Sequence, residues 1–256
     1  MANDDVTADK LFAQTFFTTL KIFNEISQFR ELARLGLKHA SSQIAEDSLV
    51  MAMEMFTSEE YKDVFIDREA ALEALGGYAK VGETIATNKI TAFQKSVDSG
   101  SLVFAHSMLD GAVFDYCRVT ALKAPDQWEP IVEDKKFTLA EIRDQSYQGL
   151  LWQKINIALK SLERDSLESK LNKLHSICQP PNEFKPVENY VFDIEKIQKY
   201  DRDRISIVHD IGPQDSLPQG DEDILYMLNT ANYCMVMVNQ KFGIKINSEE
   251  FVNVMK

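Results

Sequence analysis

The sequence predicts an all-α protein, with a four-helix bundle over residues 99–256 and an additional helical region over residues 1–98. Three observations predict it. Apolar residues recur at three- and four-residue steps along most of the chain, the period of one face of an α-helix. Glycine and proline are few, ten and seven in 256 residues, and they cluster at a handful of points, unlike the frequent turns of an all-β sandwich. No alternating apolar and polar run is long enough for a strand; residues 242–246 alternate weakly and are too short.

The elements follow in order. Phe12, Phe16, Leu20, Phe23, Ile26, Phe29 and Ala33 give a first amphipathic helix from Asp9 to about His39, loosened near Gly36. Ser41 and Ser42 are expected to end it and cap a second helix from Gln43 to Phe56. The run Thr57, Ser58, Glu59, Glu60 has capping-box spacing and opens a third stretch to about Leu75, where Gly76 and Gly77 break or bend the chain. A more polar fourth stretch runs to Lys95. Residues 97–101, with Gly100 between two serines, are the expected domain boundary.

Leu102 to Leu122 then forms the most apolar helix, with Ala105, Leu109, Ala112, Val113, Tyr116 and Val119 as its buried stripe. Pro125 and Pro130 enforce a turn. Thr138 to Glu141 is a second capping box opening a long helical region that continues past Ser166 to His175. Pro180, Pro181 and Pro186 end it in a loop. A helix from Asp193 runs toward His209 and Asp210, stopped by Gly212 and Pro213. Asp221 is expected to cap the last long helix, which Gly243 ends. Residues 247–250 begin a short terminal turn.

Composition removes several function classes. The formal net charge of −12 repels phosphate backbones and anionic membranes on average, so any nucleic-acid contact has to be local. No apolar run reaches the ~18–20 residues that span a bilayer. The start Met1, Ala2, Asn3, Asp4, Asp5 has no basic segment before an apolar one, so the reading is a cytoplasmic protein without a signal peptide. Cys117, Cys178 and Cys234 are odd in number and far apart, which predicts reduced thiols and supports neither a zinc site nor a disulfide framework. No phosphate-cradling glycine loop, dinucleotide fingerprint, nucleophile elbow or HExxH helix occurs. No cofactor and no metal are expected. The acidic triplet at 221–223 suits the positive end of a helix, and the methionines suit core or interface filling.

Four histidines remain, and imidazole both gives and takes protons near neutral pH. His106 and Asp110 stand at i,i+4 on one helix, where a carboxylate can orient the ring. His175 has no evident partner in sequence. His209 follows Arg202 by seven residues and Arg204 by five. Seven residues at ~100° each bring Arg202 back to nearly the face of His209, whereas Arg204 falls ~140° away. Guanidinium binds phosphate oxygens bidentately, and imidazole moves the proton of a ribose hydroxyl or a leaving oxygen, so the pairing suits phosphodiester chemistry without a metal. Spacing alone does not single the segment out, because Arg34 and His39 repeat it.

Three stretches carry a family resemblance over about residues 102–238. Leu102, Val103, Phe104, Ala105, His106, Ser107, Met108, Leu109, Asp110 resembles an opening helix; Ser166 to Leu174 resembles the end of a second; and Tyr200 to Gly212, with Ile207, Val208, His209, Asp210, resembles an Arg-x4–6-His segment before a last helix. Together they resemble the HEPN superfamily, four-helix bundles many of which are metal-independent ribonucleases of toxin–antitoxin, phage-defence and RNA-processing systems. The resemblance implies a homodimer acting on RNA, with His209 as acid/base and Arg204 as the phosphate-binding residue. Asp203, Asp210, His106 and Asp110 are supporting residues, and an antitoxin or regulatory protein is an implied partner. In that family a polar residue usually follows the arginine. Ile205 after Arg204 departs from this pattern, while Asp203 after Arg202 restores it in the longer register, so both arginines remain candidates.

Two rival readings stand beside the ribonuclease. One is a non-catalytic helical interaction module, with the arginines paired to Asp201 and Asp203 and His209 serving the negative end of a helix. The other is a nucleotide-binding regulator using the same arginines.

Overall fold

The structure is a computed structural model that describes residues 7–58, 68–132, 146–181, 183–209 and 220–244. All regular elements among them are helical. They are α1 (Ala8–Thr57), α2 (Arg68–Lys123), a 3-10 turn (Pro125–Trp128), α3 (Glu129–Val132), α4 (Tyr147–Leu162), α5 (Leu167–Cys178), α6 (Ile194–His209) and α7 (Asp221–Phe242). None of these helices is long and apolar enough to cross a membrane.

The chain divides into two compact units, one of residues 1–26 with 102–256, the other of residues 27–101. One edge of this division lies within three residues of the boundary expected at 98/99. The other, at Ile26/Ser27, falls inside α1. Residues 97–101 are helical and form no linker.

Several expected breaks are absent. Ser41 and Ser42 lie within α1, and the Ser42 hydroxyl donates back to the Lys38 carbonyl at 3.2 Å instead of capping a new helix. Gly76 and Gly77 lie within α2, where a Cβ on either would meet open space. Conversely, the region expected to run from 138 to 175 contains a break, because Ser166 accepts a hydrogen bond from the Ser169 amide and caps α5 as a separate helix. Gly220, not Asp221, is the N-cap of α7. Gly243, at φ 59°, ends α7 as expected. Residues 59–60 of the first capping box, all of the second, Gly212, Pro213 and residues 247–250 lie outside the described residues.

The larger unit is organised around the apolar half of α2. Ala105, Leu109, Ala112, Val113, Tyr116 and Val119 are all buried, as their spacing predicts. Leu11, Phe12 and Phe23 of α1 share that core with Leu151 and Ile155 of α4, Leu171 and Leu174 of α5, Ile197 and Tyr200 of α6, and Met227 and Cys234 of α7. Trp128 is fully buried and its indole N–H donates to Thr120 Oγ1 at 3.1 Å, so the ring enters the core with its polar edge satisfied. Lys170 is also buried. Its Nζ donates to both carboxylate oxygens of Asp110 at 2.7 Å, linking α5 to α2. All three cysteines are free and buried. Burial raises each thiol, Cys178 to about 12, so all stay protonated at neutral pH.

Candidate functional site

The candidate segment forms the C-terminal half of α6. Asp193 starts the helix, its carboxylate accepting from the Glu195 and Lys196 amides at 2.9 and 3.3 Å. Two neighbouring residues then fix the rotation of α6. Tyr200 is buried and donates its hydroxyl proton to Asp223 Oδ1 in the first turn of α7, at 2.6 Å. Asp201 lies 2.7 Å from Nε2 of the buried His106 on α2. The ring and carboxylate meet without hydrogen-bond alignment, and neither ring nitrogen of His106 has a hydrogen-bond partner among the described residues.

With 200 and 201 turned toward the core, the residues that follow sort by angle. Ile197, Tyr200, Arg204 and Ile207 fall at steps of three and four on the packed side. Arg204 is half-buried, and its Nε is withdrawn from solvent without a hydrogen-bond acceptor among the described residues. Arg202, Ile205, Val208 and His209 are exposed. Arg202 and His209 therefore share one open face, two turns and ~10 Å apart along the axis. Both side chains can reach a single extended phosphodiester segment from there.

Asp203 sits between these faces. It is half-buried, and one carboxylate oxygen is shut from solvent without a partner among the described residues. Burial raises its carboxyl above the usual range and nearby Asp223 adds to the rise, while Lys199 and Arg202 oppose it.

The i,i+4 pair expected between His106 and Asp110 does not form. His106 reaches across to Asp201, and Asp110 is taken by Lys170. The rival pairing of Asp201 with an arginine is replaced by that same histidine contact. Asp210 lies outside the described residues. His39 is exposed in the smaller unit. His175 packs in an aromatic cluster, its ring centroid 4.7 Å from Phe192 and 5.5 Å from Tyr233, and burial lowers its pKa.

Sequence reasoning gave no role to Tyr200 or Lys170, and it set Asp201 beside an arginine where the structure sets it beside His106. A usable signal existed for α6. The 3–4–3 steps from Ile197 through Tyr200 and Arg204 to Ile207 already place Arg204 on the apolar face. No local signal pairs Lys170 with Asp110, because the contact is made across 60 residues. No group of three or more potential ligands that could hold a metal occurs among the described residues. Compared with protein-family models, curated proteins and solved structures, the chain matches none.

Proposed function

We propose that this chain is a HEPN-type, metal-independent endoribonuclease acting as a homodimer, of the kind that serves toxin–antitoxin or defence systems under an antitoxin or regulatory partner. The observation that carries the reading is the exposed pairing of Arg202 and His209 on one face of α6, with Arg204 turned toward the core. This favours the longer register, in which the residue after the arginine is the polar Asp203.

In this reading a ribose 2′-hydroxyl attacks the adjacent phosphorus and the bond to the 5′-oxygen breaks. The 2′-proton passes to imidazole, and a proton from imidazole reaches the leaving oxygen. The products are a 2′,3′-cyclic phosphate and a 5′-hydroxyl. The Arg202 guanidinium holds the non-bridging oxygens and offsets the charge that grows on them.

The test is cleavage of single-stranded RNA in excess chelator, with His209→Ala, Arg202→Ala and Arg204→Ala compared at equal helical content. His209→Ala and Arg202→Ala should each lose about 100-fold or more in rate, and Arg204→Ala should lose less. Intact RNA with the parent protein, or undiminished cleavage by His209→Ala, overturns the proposal.

A second reading draws on the burial of the Arg204 Nε. If Arg204 is the ancestral phosphate ligand, the site is dismantled and the exposed face of α6 serves only association. The parent protein would then bind its partner and leave RNA whole.

A further inference from the structure

The smaller unit, residues 27–101, pairs residues 27–57 of α1 with residues 68–101 of α2. Arg30 Nη2 meets Asp98 Oδ1 at 2.6 Å, which sets the start of one segment against the end of the other and makes the pair antiparallel. Arg30, Asp98 and Ser101 are buried, and Ala86 is the single buried apolar side chain among the described residues of the unit. More than half of the exposed large apolar side chains among all described residues fall in this unit, which holds under a third of the chain. Two helices alone cannot bury an apolar face of this extent, whereas two such pairs close into a four-helix bundle.

The pattern selects the occupant. The exposed apolar residues run the length of the pair: Phe29, Leu32 and Phe93 toward the end marked by Arg30 and Asp98, Ile44, Val81 and Ile85 midway, and Val50 and Met51 toward the other end. Charge divides between the two ends. The first end carries Arg30, Arg34, Lys38, Lys89 and Lys95 against Glu31 and Asp98. The second carries Glu46, Asp47, Glu54, Glu69, Glu73 and Glu83 against Arg68 and Lys80. One end is net basic and the other net acidic, and exposed apolar residues run between them. A partner that complements both must be acidic where this unit is basic and basic where it is acidic. A second copy laid antiparallel does so at both ends at once, through a self-complementary two-fold contact.

We infer that residues 27–101 are a homodimerisation surface, in which two antiparallel helix pairs associate end over end, the basic end of one protomer against the acidic end of the other. This names a surface for the homodimer of the proposed function but does not require nuclease activity.

The experiment uses the full chain. Sedimentation or light scattering should give twice the 29.2 kDa chain mass. Reversing exposed lysines at the basic end, in Lys38→Glu/Lys89→Glu, should shift the protein to monomer with its helical content unchanged. Adding Glu46→Lys/Asp47→Lys at the acidic end should restore the dimer. Leu32→Glu, which places a charge among the exposed apolar residues, should also give monomer. A monomeric parent protein at tens of micromolar overturns the inference, as does a dimer indifferent to both the charge reversals and Leu32→Glu. A dimer that responds as stated while RNA stays intact leaves this inference standing and removes the nuclease reading. Cleavage by a dimer indifferent to these variants does the opposite.

Discussion

Asp201 Oδ1 lies 2.7 Å from His106 Nε2, a contact that ties α6 to α2 one residue before Arg202. On an ideal helix one residue is ~100° of rotation. Anchoring Asp201 inward therefore sets Arg202 outward and, seven residues later, His209 with it. Asp201→Ala removes that anchor. Because the contact is not an aligned hydrogen bond, the expected loss of stability is no more than the ~1 kcal/mol that such a bond contributes net. Urea denaturation checks it. A variant as stable as the parent would mean that the contact does not hold α6.

The Lys170–Asp110 link carries a larger stake. Lys170 is buried, and both Asp110 oxygens stand at 2.7 Å from its ammonium. Asp110→Ala leaves that charge in the core without its counter-ion, and losing one partner of a buried pair costs about 3–5 kcal/mol. Lys170→Met leaves Asp110, which is partly exposed, to be rehydrated. It should be the milder change. Paired denaturation curves decide, and equal losses would contradict the asymmetry in burial.

What the sequence made legible and what it hid have the same physical origin. The stripe from Ala105 to Val119 was readable because apolar burial repeats with the helix itself. The capping serine at 166 and the punctuation at 41–42 and 76–77 were misread because local signals of similar strength had opposite outcomes. A serine inside a helix can return its hydroxyl to the fourth carbonyl before it, as Ser42 does with Lys38. An interior glycine costs only ~1 kcal/mol, which a long cooperative helix absorbs. Arg204 was assigned to the site by its motif position, yet its face was decided by Ile197 and Tyr200. The contacts of His106 and Asp110 were hidden because each partner lies on another helix, 95 and 60 residues away along the chain.

His175 gives the fold an acid sensitivity. Its ring packs against Phe192 and Tyr233, which stack on each other, and burial lowers its pKa below the ordinary value of 6.5. The folded state therefore binds fewer protons than the unfolded state as pH falls through that value. Stability is fully present above the unfolded pKa and declines below it, until the folded ring also protonates. His175→Phe keeps an aromatic ring in the cluster and removes the titration. Thermal melts from pH 8 to 5 should fall less steeply for this variant. Parallel curves would show that His175 is not the group responsible.

Asp203 works with the opposite sign, and it sits beside Arg202. Its carboxyl is raised by burial first, with Asp223 adding and Lys199 and Arg202 opposing. The folded state thus holds a proton that the unfolded state has released, so this residue favours folding at low pH and opposes it as pH rises through the raised pKa. Asp203→Asn removes that opposition, because an amide carries no charge to desolvate. At neutral pH the variant should melt above the parent, and the gap should close on acidification toward the ordinary carboxylate range. The substitution also removes a negative charge next to the exposed arginine, so under the proposed function RNA binding should tighten, and by more at low salt than at high salt. A variant that melts below the parent at pH 7 would mean that the carboxylate makes a stabilising contact, and the burial argument for Asp203 would fail.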